Sequence, residues 1–327
     1  MPRPLIELES IEGLHIGGRL RRLEGFPASP AGHAGLGVRF DNNGLHMVGQ
    51  MYAQHYRVAR PRLPVPLALW HGGGMTGASW ETTPDGRPGW LTFLLRQAFS
   101  VVLCDAFERG RASLPAFPQA FEGVPEYRSI ESIWNHFRFG PPMPSRDAAP
   151  PEGWRHAAYA GQQFPIEHME QFGRQFAPRF TNSDRATLAA YGDLLRRLGG
   201  CAIVGHSQGG VYAMQATLEQ PDRVHAVIAL EPPVTQACLQ LLRQAGDQAL
   251  PPHLFIFGDY IRGCSPTWEP LLDNAIAYCE ALRRRGARAE LIELPRLGIH
   301  GNSHILQMDA NSERIAGIAT EWLLSPR

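Results

Sequence analysis

The sequence predicts an α/β fold in which a doubly wound, mostly parallel sheet of eight strands carries an inserted cap. Short apolar runs alternate with longer helical patterns along most of the 327 residues. This alternation is typical of parallel strands that are covered by helices on both faces. It stops between residues 108 and 179, where proline and aromatic residues accumulate. We therefore expect a single domain over residues 1–327, with a lid subdomain at residues 108–179.

The predicted elements follow this alternation in chain order. Apolar runs of strand length occur at residues 35–40, 45–52, 66–70, 100–105, 201–206, 225–230, 254–257 and 288–294. Helical periodicity occurs at residues 89–98, 183–198, 209–219, 266–285 and 311–324. The early strands are expected to pair antiparallel, and the alternation of strands with helices predicts a mostly parallel sheet elsewhere.

The lid segment is too long to be a plain loop. Structureless connections of that length are uncommon inside a compact domain, so we expect two or three short helices packed over the edge of the sheet. Its aromatic side chains would wall a pocket, although most of them are needed to pack the insertion onto the core.

Composition excludes several classes of function. Basic and acidic residues balance at 31 each, so no net field attracts nucleic acid or an anionic membrane surface. The chain contains no lysine, which excludes a Schiff base, a phosphate-binding P-loop and a Ser-Lys dyad. These observations favour a small-molecule partner. A homodimer is left open, because nothing in the sequence decides the oligomeric state.

Cysteine and histidine spacing indicates neither a disulfide framework nor a metal site. The five cysteines form no C-x-x-C pair, and most are expected to be reduced core residues. No H-E-x-x-H motif or paired ligand spacing occurs among the thirteen histidines, so no metal or other cofactor is predicted. The N-terminus lacks an apolar signal-like run, which makes a cytoplasmic location the default expectation and leaves a secreted or periplasmic one open.

A candidate nucleophile lies in residues 201–210, which read CAIVGHSQGG. Ser207 stands between Gly205 and Gly209, behind an apolar run and ahead of a helical one. A strand that turns sharply into a helix lifts its apex side chain clear of the sheet, and the flanking glycines leave room for the turn. The helix that begins at Gln208 directs unpaired N–H groups at any oxyanion beside the serine. This pattern predicts a nucleophilic serine.

A serine nucleophile needs a histidine base and an acid that orients the base. In this architecture both follow Ser207 in the chain, the acid after a later strand and the histidine last. Glu231 in ALEPP and Asp259 in FGDY both meet the condition for the acid. His300 and His304 both lie beyond the last predicted strand. Spacing alone leaves both pairs open.

The oxyanion donors are expected from two loops. The residues HGGG, beginning at His71, follow the strand at 66–70, and glycine lets backbone N–H groups approach a substrate closely. We assign the N–H groups of Gly73 and Gln208 as the donor pair. His71 and His206 are expected to shape these loops through hydrogen bonds.

Five ordered motifs carry a resemblance to a known family. They are HGGGMTGASWETTPDGRPGW from His71, DAFERGRAS from Asp105, GHSQGG from Gly205, ALEPP from Ala229 and GIHGNSH from Gly298. The chain resembles the α/β-hydrolase fold, and more closely a branch of bacterial alkaline esterases whose catalytic acid is a glutamate after the strand that follows the nucleophile. The resemblance implies Glu231 as the acid in preference to Asp259, and His304 as the base in preference to His300.

The expected function is a serine carboxylic ester hydrolase that acts through an acyl-enzyme on a small to medium, partly apolar ester. Its activity should rise with pH through a group near the ordinary histidine pKa of about 6.5. Two alternatives use the same residues differently. One is hydrolysis of another acyl bond or a carbon–carbon bond, and the other is a catalytically inactive fold that binds a ligand.

Overall fold

A single sheet organises the molecule. The computed structural model describes residues 5–27, 41–143 and 154–325. Its eight described strands are ordered β1-β2-β4-β3-β5-β6-β7-β8. They span Leu8–Leu23 (β1), Gly44–Val58 (β2), Leu67–Trp70 (β3), Val101–Asp105 (β4), Cys201–His206 (β5), Val224–Leu230 (β6), His253–Phe257 (β7) and Ala289–Glu293 (β8). The pairs β1–β2 and β2–β4 are antiparallel and the other pairs are parallel. The predicted mostly parallel, eight-stranded sheet is confirmed.

The N-terminal strand was not predicted. β1 forms a long hairpin with β2 at the edge of the sheet, in a register that pairs Leu14 with Ala53. Most of its side chains are exposed or half-buried, and only Leu23 is buried. An edge strand of this kind has polar residues throughout and lacks the continuous apolar run of an interior strand. The predicted strand at residues 35–40 lies outside the described residues.

Helices cover both faces of the sheet, as a doubly wound fold requires. The described α-helices span Trp90–Arg96 (α1), Ile130–Phe137 (α2), Trp154–Ala157 (α3), Met169–Gly173 (α4), Asp184–Leu198 (α5), Gln208–Glu219 (α6), Gln236–Gln244 (α7), Trp268–Arg284 (α8) and Ser312–Leu324 (α9). The five helices predicted outside the lid are all present. α7 was missed, because its nine residues include four polar or charged ones and fall between two strands that sequence analysis joined directly.

Alternate residues of each interior strand point to opposite faces. On β5, Cys201 and Ile203 pack with α5, α6, α7 and α8, whereas Ala202 and Val204 pack with α1 and α9. Each face therefore has its own apolar core, and the strands between them are buried on both sides. No helix that the structure describes is long and apolar enough to cross a membrane.

The segment between β4 and α5 covers the carboxyl edge of the sheet. It contains α2, α3 and α4, in agreement with the predicted two or three short helices. Their apolar side chains form a separate cluster that includes Trp134, Phe139 and Phe172 and also contacts Met75 and Ile305 from loops of the main fold. The division into one domain and a lid at residues 108–179 stays a prediction.

Candidate active site

The turn between β5 and α6 holds Ser207 in a strained conformation. Ser207 has φ 52° and ψ −119°, a combination that side-chain-bearing residues rarely adopt. Its N–H donates to the carbonyl oxygen of Leu230 at 2.8 Å, so the neighbouring strand β6 supports the turn. The side chain is almost buried, at 7% exposure. This is the sharp strand-to-helix turn that the sequence predicted.

Both flanking glycines are required by close backbone contacts. A Cβ atom on Gly205 would lie 2.6 Å from the carbonyl oxygen of Gly209. A Cβ atom on Gly209 would lie 2.3 Å from the carbonyl oxygen of Trp70 at the end of β3. Any side chain at either position would force the strand, the turn and the helix apart.

Glu231 and His304 form a buried pair. Glu231 directly follows β6 with φ 46°, and His304 lies on the loop between β8 and α9. The Nδ1 atom of His304 lies 2.6 Å from Oε2 of Glu231, and both side chains are fully buried. Because Nδ1 donates to the carboxylate, Nε2 carries a lone pair and is free to accept a proton. This Nε2 has no hydrogen-bond partner in the described part of the chain.

The histidine loop is tied directly to the serine turn. Nε2 of His206, the residue before Ser207, donates to the carbonyl oxygen of His304 at 3.0 Å. The rings of these two histidines lie 4.8 Å apart between centroids. The structure therefore brings Ser207, His304 and Glu231 into one region.

The alternative acid and base pair with each other at the surface. Nδ1 of His300 lies 3.4 Å from Oδ2 of Asp259, and the His300 side chain is 66% exposed. The Asp259 carboxylate also accepts the backbone N–H groups of Gly301 and Tyr260, both at 2.8 Å. Asp259 thus shapes the loop, and neither residue shares the buried pair described above.

Arg138, at the end of α2, was missed by sequence analysis. Its Nη2 donates to Oε1 of Glu231 at 2.6 Å, and its Nε donates to the carbonyl oxygen of Asp259 at 3.0 Å. The N–H of Gly258 donates to the same Oε1 at 2.6 Å. The guanidinium also lies over the ring of Trp268, 5.0 Å from its centroid. A charged residue inside the aromatic run FRFG was the only sequence signal for it.

Electrostatics keeps the candidate base neutral. Burial lowers the pKa of His304 well below its ordinary value, and the positive charges of Arg138 and Arg128 add to this effect. Burial raises the pKa of Glu231, and the attraction of Arg138 opposes that rise. If His304 is the base, this shift places the acidic limb of activity below the ordinary histidine pKa that the sequence alone led us to expect.

The glycine-rich loop after β3 is anchored by His71. Its Nδ1 donates to the carbonyl oxygen of Gly72 at 2.9 Å, and its Nε2 accepts the N–H of Ala106 at 3.0 Å. Burial lowers the pKa of His71 to about 4, so the ring is neutral and its tautomer is set by these bonds. The predicted loop-shaping roles of His71 and His206 are confirmed.

Gly73 and Gln208 face each other beside the serine. A Cβ atom on Gly73 would lie 3.0 Å from Oε1 of Gln208, and one on Gly72 would lie 3.2 Å from Cβ of Ser207. Gln208 is the first residue of α6, so its N–H has no acceptor within the helix. Together these residues line a cavity of about 190 Å³ that also contacts Phe137 of α2.

Comparison with known proteins agrees with this architecture. No family model matches the chain. The solved structure of a novel bacterial esterase superposes with a TM-score of 0.82 at 29% sequence identity, over 98% of this chain and 97% of that one. The chain has the α/β-hydrolase fold. This confirms the fold that the sequence motifs predicted. The strand order, the turn at Ser207 and the loop that carries His304 are features of this α/β-hydrolase.

A second relative is known from its sequence. The probable secreted lipase phiG of Fungal sp. (strain ATCC 74256) is 25% identical over 352 residues, which cover 91% of this α/β-hydrolase and 93% of the lipase. Both named relatives are ester hydrolases, in agreement with the predicted enzyme class. The fungal lipase is described as secreted, and the cytoplasmic location of the present chain stays a prediction.

Replacing Gly209 by alanine should destabilise the fold. The new Cβ would overlap the carbonyl oxygen of Trp70, and we expect a loss of about 1–3 kcal/mol or more in the free energy of unfolding. Gly317→Ala in α9 is the matched control, since a Cβ there meets no atom within 4 Å. We expect that change to stabilise by about 0.5–1 kcal/mol. Urea titration measures both, and equal effects would contradict the steric argument.

Replacing Arg138 by glutamine should shift the pH dependence of activity. The guanidinium lowers the pKa of His304, so its loss should raise that pKa. Because only the neutral base is active, the acidic limb of kcat/KM should move to higher pH. In the wild type this limb should lie below pH 6.5. Arg138→Lys retains the positive charge, and it should keep the limb closer to its wild-type position than Arg138→Gln does. An unshifted limb in a folded Arg138→Gln variant would show that Arg138 only packs the lid.

Proposed function

We propose that this carboxylic ester hydrolase works through Ser207, His304 and Glu231 by way of an acyl-enzyme. One observation carries the proposal, namely the buried 2.6 Å contact between Nδ1 of His304 and Oε2 of Glu231. It leaves Nε2 as the proton acceptor on a loop that His206 joins to the serine turn. A carboxylate in this position holds the ring in the required tautomer and stabilises the imidazolium that forms.

The reaction follows from these roles. Oγ of Ser207 attacks the ester carbonyl while Nε2 of His304 takes the hydroxyl proton. The N–H groups of Gly73 and Gln208 stabilise the tetrahedral oxyanion. The intermediate collapses to an acyl-serine, and the alcohol leaves with the proton from His304. Water then attacks the acyl-serine with His304 again as the base, and the acid is released. These steps need neither a metal ion nor an organic cofactor.

The cavity supports a small, partly apolar ester. Its volume of about 190 Å³ is below the range of about 300–1,000 Å³ that is common for drug-sized ligands. Met75, Phe137 and Pro233 give it apolar walls, which suit a short acyl or alcohol group. The names of the relatives, an esterase and a lipase, agree with an ester substrate.

Replacing Ser207 by alanine should abolish turnover without unfolding the protein. We expect kcat for p-nitrophenyl esters to fall by a factor on the order of 10⁴ or more, because the nucleophile is gone. A fluorophosphonate probe should label the wild type and leave the variant unlabelled. Retained activity in the variant would overturn the mechanism. Faster turnover of vinylogous diketones than of esters by the wild type would instead assign carbon–carbon hydrolysis to the same residues.

Matched substitutions should separate the two candidate pairs. Glu231→Gln and His304→Ala should each lower kcat by a factor on the order of 10³ or more. Asp259→Asn and His300→Ala remove the corresponding groups of the surface pair and should lower kcat less than about tenfold, since neither joins the buried pair. Steady-state kinetics with circular dichroism as a folding control measures this. A larger loss from the Asp259 or His300 variant would reverse the assignment.

A further inference from the structure

Two arginines of the lid segment line the cavity beside Ser207. Arg128 and Arg179 contribute to its wall together with the serine and the glycine-rich loop. Acidic side chains are absent from the part of the wall that the structure describes. The histidines of the wall do not add charge, because burial lowers the pKa of His136 to about 3 and that of His206 to about 4. At neutral pH the wall therefore carries two positive charges.

Arg179 lies directly over the glycine-rich loop. Its Nη1 is 3.6 Å from the position of a Cβ atom on Gly73. Its Nε is buried and has no hydrogen-bond partner among the described residues. The carboxylate of Glu126 approaches only to 3.8 Å, and its side chain is 59% exposed. Two backbone hydrogen bonds between Glu126 and Arg179 hold this segment in place. The positive charge of the guanidinium is nevertheless only weakly neutralised.

The positive charge of Arg128 is also only weakly neutralised by the protein. Its Cδ lies 3.7 Å from the position of a Cβ atom on Gly74, and it forms no hydrogen bond or ion pair within the described ranges 5–27, 41–143 and 154–325. Burial lowers its pKa, the charge of Arg179 adds to this effect, and the exposed carboxylate of Glu126 opposes it. Two like charges that are brought together at a half-buried wall repel each other, and a bound anion removes that repulsion.

Arg109, a third arginine near the cavity, differs from these two because its charge is paired within the protein. Nη2 of Arg109 lies 3.3 Å from Oε1 of Glu108, and both side chains are buried. Nη1 of Arg109 also donates to the carbonyl oxygen of Met75. Arg109 thus has a buried carboxylate partner within the protein, whereas Arg128 and Arg179 have none in the described wall.

We propose that Arg128 and Arg179 form an anion subsite, and that the preferred substrates are small esters that also carry a carboxylate within a few bonds of the reacting carbonyl. The proposal rests on the ester hydrolysis proposed above. Arginine offers a planar fork of donors that matches a carboxylate, and such charge-assisted bonds are strong where water is excluded. The small cavity requires the carboxylate and the ester to be close together. The carboxylate belongs either to the acyl group or to the alcohol.

Matched anionic and neutral esters test the proposal in both arrangements. Monomethyl glutarate against dimethyl glutarate tests the acyl side, and 4-acetoxybenzoate against its methyl ester tests the alcohol side. We expect kcat/KM of the wild type to favour the anionic member of one pair by roughly tenfold or more. The preference should shrink in about 0.5 M NaCl, since salt screens partly exposed charges.

Arginine variants locate the preference. Arg128→Gln and Arg179→Gln should each reduce the ratio of anionic to neutral kcat/KM by roughly tenfold, with both esters compared at a pH above the acidic limb of every variant. Arg174→Gln is the matched control from the same lid, since Arg174 is 66% exposed and pairs with Glu170, and it should leave the ratio unchanged. An equal loss for both esters in the variants would mean that the arginines serve the lid or the oxyanion, and would overturn the subsite.

Binding to a Ser207→Ala variant separates the subsite from the reaction. Calorimetry should detect monomethyl glutarate or 4-acetoxybenzoate binding to this variant, and the further change Arg179→Gln should weaken that binding by roughly tenfold. Hydrolysis of neutral esters with no preference for esters that carry a carboxylate would contradict the anion subsite and leave the proposed function intact. Binding of the anionic ester without any turnover by the wild type would sink the proposed function while the subsite stands.

Discussion

The fully buried carboxylate of Glu231 is the constraint on which the site depends. A charge without access to water is costly unless partners satisfy it. The partners of Glu231 come from three separate segments: Arg138 from the lid, the N–H of Gly258 after β7, and His304 from the last loop. Loss of one partner from such a buried cluster costs about 3–5 kcal/mol. One carboxylate therefore joins the sheet, the lid and the histidine loop.

The sheet in turn holds the strained residues that make this arrangement possible. Ser207 and Glu231 both follow parallel strands, and both have positive φ values, 52° and 46°. The N–H of Ser207 donates to Leu230, and the N–H of Glu231 donates to Ile256 on the next strand. Hydrogen bonds across the carboxyl edge thus maintain two conformations that would relax in an isolated turn. This edge is where open α/β sheets commonly carry their ligands.

The parts of the fold that sequence could predict are those whose signal is local. Interior strands such as β5 are continuous apolar runs in the sequence. The turn at Ser207 is likewise predicted by neighbouring residues, the glycines on either side of the serine. The edge strand β1 has no such run, so it was missed. Glu231 and Asp259 both follow adjacent strands, and only their distances to His304 and His300 separate the two pairs. Arg138 reaches Glu231 across 93 positions of sequence, a contact that only the tertiary structure creates.

The segment between β4 and α5 affects the candidate site through the charges it carries. The arginine at the end of α2 is neutralised within the protein by Glu231. Displacing that end of the helix would remove the one charged partner that the structure describes for the buried carboxylate, so Glu231 holds this wall of the cavity in place. The two lid arginines that face the cavity have no buried carboxylate in the described wall. This segment therefore presents two weakly neutralised positive charges to any molecule that approaches Ser207. Charge, together with the small volume of the cavity, is then a determinant of what the proposed site binds.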